Sequence, residues 1–575
     1  MALNFNNLNS LWASVMVETL AQLGLKSAII CPGSRSTPLT VALARHPDIE
    51  AIPVLDERSA GFWALGLAKA SGIPTVLVCT SGTAGANFYP AVIEARYSHV
   101  PLIVLTGDRP PELRQCSSGQ TINQINLFGE FAQFFSEMAT PVARLEMLQY
   151  ARQTMVQAWR KSLFPQCGVA HLNCPFRDPL PPNILDNSVD FLRNQIDPVL
   201  FFQNITSPTP SQLLSLHLPV EQWEGKKGII IAGVDQPDNP KNYTAAIATL
   251  SQTLGYPVLA EALSPLRNFA DFELITTYDF ILRNSDSAEA LLPEVVIQIG
   301  ALPTSKTLRA WLQKDQIPTW VISPNSDNLD PLHRPTHTLS TSIEQISQVL
   351  SNNQKSHSDY AQKWQFYQQQ TLVAIAKSFR TEPNFIEAKV AWLLSQYLPE
   401  KSSIFFANSM TVRYAEFFWQ QNKRQIQPYF NRGANGIDGT LSTAIALAHS
   451  NNDRPCVLLT GDLALLHDTN GFLTVSQCSG SLTIIVVNNN GGGIFEMLPI
   501  ATVDDVFEEY FVTPQLPSLE KLAATYAINY QKITDESALV SVLSNLPKQG
   551  MQLIEILGDR QRDTQWLKAL FQIFQ

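Results

Sequence analysis

Between Ser27 and Asp108 the chain alternates apolar runs of strand length with stretches of helical spacing, and that alternation leaves few folds open. "SAIIC", "AIPVLD", "TVLVCTSG" and "PLIVLTGD" are apolar on successive residues rather than on every second one. Between them lie "SAGFWALGLAKASG" and "YPAVIEARY", which read as helices. Strands that are apolar on both faces and separated by helices predict a parallel sheet with helices packed on each side. Upstream, Leu8, Leu11, Val15, Leu20 and Leu23 form a helical stripe that Gly24 is placed to stop. Pro38 suits the first turn of the helix after the loop "PGSRSTP".

The same pattern returns twice. "GIIIAGV", "PVLAEAL", "VVIQIGA" and "TWVISP" fall between residues 200 and 350, and "SIFFANS", "CVLLTGD", "LTIIVVN" and "QLIEIL" follow residue 400. A Pro-rich stretch at 178–188 marks one boundary, and a polar, Gln-rich run at 351–370 predicts a helical linker. At 575 residues the chain is too long for one core. The expectation is an α/β protein of three domains, 1–185, 195–350 and 371–575, each with a mostly parallel sheet flanked by helices. The first and third blocks share a plan, with polar and glycine-rich segments just after their strands.

Charge excludes one class of partner. Forty Lys and Arg against 50 Asp and Glu give a net charge of −10, unsuited to non-specific nucleic-acid binding. The seven Cys residues are dispersed without a CxxC pair, which predicts reduced, mostly buried thiols in a cytoplasmic protein. The N-terminus has no basic segment leading into an apolar core, and no apolar run reaches membrane-spanning length.

The stretch "GDLALLHDTNGFLTVSQCSGSLTIIVVNNNGGG" carries the sharpest chemical signal. Asp462 follows one buried run and Asn489 follows the next, 27 residues later. If the two runs are neighbouring parallel strands joined by a crossover, both side chains reach the same sheet edge, where open α/β sheets bind ligands. One carboxylate, one amide oxygen and a backbone carbonyl suit a hard cation such as Mg²⁺ or Mn²⁺, which completes its shell with phosphate oxygens and water. Gly461 and the run Gly491 to Gly493 are expected to let backbone N–H groups approach a phosphate. His46, His99 and His467 lack a Ser or Cys at triad spacing, and no P-loop or dinucleotide fingerprint is present.

Gly-Asp followed at this distance by Asn-Asn resembles the cofactor motif of thiamine-diphosphate-dependent enzymes. That resemblance implies Asp462, Asn489 and the Gly491 carbonyl as metal ligands. It also implies an activating glutamate at the end of the second strand of an N-terminal pyrimidine-binding domain, where Glu57 stands, and a bulky aliphatic side chain that bends the cofactor, Ile437 in "NRGANGIDG". A glutamate sharing a proton with a ring nitrogen is expected to be desolvated. Gly461, Gly492 and Ile494 join the implied cofactor contacts, and the C-terminal domain would bind diphosphate and metal.

"PGSRSTPL", "DERSAGFWALGLAK", "TSGTAGANFYPAVIEA", "LTGDRPPEL", "NRGANGIDGTLSTA" and "VVNNNGGGIF" narrow the likeness, most strongly in the first and third blocks. Together they resemble the family of 2-succinyl-5-enolpyruvyl-6-hydroxy-3-cyclohexene-1-carboxylate synthases of menaquinone and phylloquinone biosynthesis. The resemblance implies a transferase that decarboxylates 2-oxoglutarate and adds the resulting succinic-semialdehyde carbanion to isochorismate. Both substrates are dicarboxylates, and Arg pairs bidentately with carboxylates. Arg35, Arg109, Arg413 and Arg432, with Lys306 in the middle block, are the candidate cations. By resemblance Ser34, Arg35 and Gln120 would face isochorismate and the cofactor from one chain. Ser409, Arg413 and Arg432 would face substrate carboxylates from another, in a homodimer or homotetramer. Thr307 stands where relatives often carry Arg. Two alternatives stay open: another thiamine enzyme acting on a less charged substrate, and a non-catalytic protein that keeps the fold.

Overall fold

The apolar runs become the strands of three sheets. The structure is a computed structural model that describes residues 3–207, 218–314, 316–350 and 358–575. The first sheet contains β1 (Ser27–Ile30), β2 (Glu50–Pro53), β3 (Thr75–Cys79), β4 (Leu102–Asp108), β5 (Ala132–Glu137) and β6 (Val169–Pro175), in the order β2-β1-β3-β4-β6-β5. The second contains β7 (Gly228–Ala232), β8 (Val258–Ala260), β9 (Val295–Ile299), β10 (Thr319–Ile322) and β11 (Thr336–Leu339), in the order β11-β10-β9-β7-β8. The third contains β12 (Ser403–Phe406), β13 (Gln427–Phe430), β14 (Cys456–Gly461), β15 (Ser481–Asn488), β16 (Asn529–Ile533) and β17 (Gly550–Leu557), in the order β13-β12-β14-β15-β17-β16. All strand pairs within the three sheets are parallel.

Counted from its own first strand, each of the outer two sheets reads 2-1-3-4-6-5. The shared plan expected of the first and third blocks is therefore a shared topology. In both sheets the winding direction reverses between the first and third strands, and that reversal opens a crevice at the carboxyl ends.

Several strands escaped the sequence reading. β11 ("THTL"), β13 ("QPYF") and β16 ("NYQKI") lie at sheet edges; β11 has no buried position, β16 is mostly exposed, and β13 is buried but for its first residue. An edge strand need not be apolar on both faces, and β13 accommodates Pro428 because an edge tolerates a missing N–H. β6 is buried throughout, but His171 and Asn173 interrupt its apolar run. The helical linker expected at 351–370 is part of a longer helix, Asp359–Thr381; residues 351–357 lie outside the described part. All seven Cys are free; four are buried and two partly buried, in line with a mostly buried set, and Cys116 is exposed.

The described residues group into two compact units. One comprises residues 1–211 with 431–452 and 467–479, and the other comprises 212–430, 453–466 and 480–575. Within the first, the helix Glu57–Ser71 packs against the helix Thr440–Ser450. Their approach depends on glycine. A Cβ on Gly66 would sit 2.7 Å from the Ala446 Cβ and 2.7 Å from the Thr443 carbonyl oxygen. Gly439, at φ +65°, leaves no room for a side chain over the Phe62 ring. The Trp63 indole N–H donates to Thr474 Oγ1 at 2.8 Å, and Asn470 Nδ2 donates to Asp56 Oδ2 at 2.6 Å.

Gly66→Val should therefore force these helices apart. Overpacking of this kind costs about 1–3 kcal/mol. The expected result is an earlier calorimetric unfolding transition than wild type; an unchanged thermogram would mean that the interface has slack that the backbone positions do not show.

Candidate active site

β14 and β15 are adjacent and in register, with Thr460 opposite Val486 and Gly461 opposite Val487. Asp462 and Asn489 therefore leave the same edge of one sheet, the arrangement their spacing predicts. β12 is the neighbour of β14 on its other side, so Ser409 follows a third adjacent strand at that edge.

Asp462 does two jobs. It starts the helix Asp462–His467, and its buried carboxylate accepts the Gly491 N–H at 2.8 Å. Burial pushes its pKa up to about 6, against the lowering effect of the backbone N–H groups. Asn489 turns its Nδ2 into the protein, donating to Glu387 Oε1 at 2.6 Å, while its buried Oδ1 has no hydrogen-bond partner. A buried amide oxygen without a partner is costly unless something else satisfies it.

The glycine run behaves differently from expectation. The Gly491 N–H goes to Asp462, the Gly492 N–H donates to the Val512 carbonyl at 2.7 Å, and the Gly493 N–H donates to the Gly491 carbonyl at 2.9 Å. These donors are engaged inside the protein rather than opened toward a phosphate. Glycine is needed here because the 508–512 segment presses on the loop. A Cβ on Gly491, at φ +136°, would lie 2.4 Å from the Val512 oxygen, and one on Gly492 would lie 2.7 Å from the Phe511 oxygen. At Gly461, by contrast, a Cβ would meet nothing within 4 Å. Ile494 is half-buried in the short turn that follows.

Ser409 occupies the N-cap position of the helix Met410–Phe418, yet its side chain makes no capping bond, and its backbone sits at φ +69°, ψ −131°. A non-glycine residue held there is strained by about 1–3 kcal/mol, and such strain concentrates at functional sites. Arg413, one turn on, donates from Nη1 to the Ser409 carbonyl at 2.5 Å. Lys306 is exposed in the first turn of the helix Lys306–Leu312. A cation is disfavoured there by the helix dipole.

The first unit gathers another set at the carboxyl edge of its sheet. Arg109 follows β4 and donates from Nη1 to Ser81 Oγ at 2.7 Å and to the Gln120 carbonyl at 3.0 Å. Gln120 has φ +54° and returns a bond from Nε2 to the Ser81 carbonyl at 3.1 Å. The loop of Ser34 and Arg35 rests on the ends of β3 and β4: the Arg35 N–H donates to Thr80 Oγ1 at 3.2 Å, and a Cβ on Gly107 would lie 2.9 Å from the Arg35 carbonyl. Arg35 is buried, donates to the Phe176 carbonyl at 2.9 Å, and lies 3.7 Å from the exposed Asp178. Ser34 is exposed.

Glu57 is the first residue of its helix rather than the last of a strand; β2 ends at Pro53, and Asp56 caps the helix through the N–H groups of Arg58 and Ser59. The Glu57 side chain is half-buried in the single chain. In the same unit the loop 431–439, with Arg432 and the half-buried Ile437, is pinned by Glu94. That buried carboxylate accepts the N–H groups of Gly433 at 3.0 Å and Ala434 at 2.7 Å. The buried Lys69 lies 3.9 Å from Glu94, and desolvation lowers its pKa to about 8. Sequence reasoning missed Glu94, Lys69 and Glu387.

Three family descriptions match in chain order. They are the N-terminal TPP binding domain of thiamine pyrophosphate enzymes over residues 12–128, the middle domain of thiamine pyrophosphate over 204–406, and the C-terminal TPP binding domain over 408–556. A solved thiamine diphosphate-dependent 4-hydroxybenzoylformate decarboxylase from Rhodococcus jostii RHA1 has the same fold, with a TM-score of 0.69 at 15% identity over 95% of this chain and 99% of that one. Curated proteins are far nearer in sequence. The 2-succinyl-5-enolpyruvyl-6-hydroxy-3-cyclohexene-1-carboxylate synthase of Gloeothece citriformis is 54% identical over 99% of both chains. That of Microcystis aeruginosa is 54% identical over 98% of this chain and 99% of its own. The chain belongs to the 2-succinyl-5-enolpyruvyl-6-hydroxy-3-cyclohexene-1-carboxylate synthase family.

Membership in this synthase family makes thiamine diphosphate the cofactor, and the residues present fit a metal beside its diphosphate. At the β14–β15 edge Asp462 and Asn489 offer oxygen atoms that suit a hard cation, and one of them, Asn489 Oδ1, is buried without a partner. Among the described residues no helix is long and apolar enough to cross a membrane.

Proposed function

We propose that the chain decarboxylates 2-oxoglutarate with thiamine diphosphate and joins the remaining four-carbon unit to isochorismate. The products are 2-succinyl-5-enolpyruvyl-6-hydroxy-3-cyclohexene-1-carboxylate and CO₂, on the route to menaquinone or phylloquinone. The observation that carries this reading is end-to-end identity of about one residue in two with relatives bearing that synthase name.

When bound, thiamine diphosphate supplies the electron sink for loss of CO₂ and for carbon–carbon bond formation. The chain's own groups hold and aim. Asp462, Asn489 Oδ1 and the Gly491 carbonyl would hold Mg²⁺ or Mn²⁺ against the diphosphate. Gly461, Gly492 and Ile494 would line the same edge. Glu57 would hold a proton at the aminopyrimidine ring nitrogen, and Ile437 would support the bent cofactor. Ser34, Arg35, Arg109 and Gln120 form one polar patch for a dicarboxylate; Ser409, Arg413, Arg432 and Lys306 are the candidates for the other. Arg–carboxylate pairing explains why an acidic protein concentrates guanidinium groups after its strands.

We further propose a cytoplasmic homodimer or homotetramer with sites shared between chains, and domain boundaries at 1–185, 195–350 and 371–575. The three sheets fall inside those limits.

The test is mass spectrometry of the reaction products after adding thiamine diphosphate, Mg²⁺, 2-oxoglutarate and isochorismate. The expected result is the succinylated cyclohexene product, dependent on both substrates. Decarboxylation of 2-oxoglutarate without coupling, or turnover of an uncharged 2-oxoacid instead, would overturn the assignment.

A further inference from the structure

Glu387 belongs to no motif, yet it touches the metal site from behind. It is the first residue of the helix Glu387–Tyr397, is 6% exposed, and sits where a Cβ on Gly558 would come within 2.9 Å of its Oε1. Its backbone N–H donates to Asp563 Oδ2 at 3.0 Å, which fixes the start of the helix. Its Oε1 accepts Asn489 Nδ2 at 2.6 Å.

That single bond decides which end of the Asn489 amide faces outward. Oε1 of Glu387 accepts, so the amide offers it the NH₂ and turns its own oxygen away. The oxygen turned away is the buried Oδ1 with no partner. A Cβ on Gly493 would lie 2.7 Å from Asn489 Nδ2, so glycine at that position leaves the amide its room. We propose that Glu387 is the positioning residue of the metal site, holding the Asn489 amide so that its oxygen, and not its nitrogen, is presented beside Asp462. This rests on the reading of Asp462, Asn489 and Gly491 as the metal ligands. Outer partners that orient a ligand are worth about 10–100-fold in metal affinity.

Two substitutions separate orientation from charge. Glu387→Gln removes the ionisable carboxyl but keeps an acceptor oxygen at full reach. Glu387→Asp keeps the charge but withdraws the acceptor by one methylene. Mn²⁺ is titrated into each full-length protein with thiamine diphosphate present and no substrate, and free Mn²⁺ is read by electron paramagnetic resonance. Positioning predicts that Glu387→Gln binds Mn²⁺ within about threefold of wild type while Glu387→Asp binds about 10–100-fold more weakly. The reverse order would show that charge acts, and equal affinities, whether normal or weakened, would show that orientation does not; each of these overturns the proposal. Failure of the wild type itself to bind Mn²⁺ would instead remove the metal-site reading beneath it.

Discussion

Glu57→Gln should bind thiamine diphosphate and Mg²⁺ within a few-fold of wild type and yet turn over about a thousandfold more slowly, the middle of the range for a positioned acid or base. The substitution is nearly isosteric and keeps the hydrogen-bonding shape, but an amide cannot hold and return a proton at a ring nitrogen. The helix it heads is secured independently, because Asp56 makes the capping bonds and Asn470 ties Asp56 down. Loss of turnover through unfolding is thus not expected, and thermal unfolding should be unchanged. Single-turnover kinetics beside cofactor titration by circular dichroism would check both halves. A variant that turns over within threefold of wild type would remove Glu57 from the chemistry.

The second large effect concerns the cation. Asp462→Ala removes the carboxylate proposed to hold the cation and also the acceptor of the Gly491 N–H, whose 2.8 Å bond links the ends of β14 and β15. Altering the outer partners of a metal ligand already costs about 10–100-fold, so loss of the ligand itself should weaken Mg²⁺-dependent binding of thiamine diphosphate by about 100-fold or more. Asp462→Asn is the informative companion, because it preserves an acceptor for Gly491 while removing the charge. Calorimetric titration of cofactor with and without a chelator provides the measure. Wild type in chelator should resemble Asp462→Ala in Mg²⁺. Tight, chelator-insensitive binding by Asp462→Ala would show that the cation is held elsewhere.

What the sequence disclosed follows from where each signal lies. Asp462 and Asn489 were legible because each follows a continuous apolar run, and a polar residue at the end of a buried parallel strand has few structural reasons to be there. Glu57 drew attention only in combination with them. Glu387 was not, because an acidic residue opening a helix is what helix electrostatics favours anyway, and nothing in "EAKVAWLL" distinguishes a buried glutamate from a solvated one. Glu94 was hidden for a related reason: its partners at 433 and 434 lie over three hundred residues away. The glycines at 491 and 492 were recognised but given the wrong cause. Phosphate approach was inferred from composition, whereas close contact with Val512 and Phe511 is non-local and invisible in the motif. The strained φ of Ser409 and the positive φ of Gln120 have no counterpart in residue type at all.

The helix Thr440–Ser450 and the turn 469–477 belong to the C-terminal third of the chain but pack in one unit with the Glu57 helix. Fragments cut at sequence boundaries would therefore bare apolar surfaces on both pieces. Chimeras between relatives inherit the same restriction: an exchanged N-terminal region must carry residues 431–452 and 467–479 along with it, or its glycine-dependent seam meets a stranger's side chains.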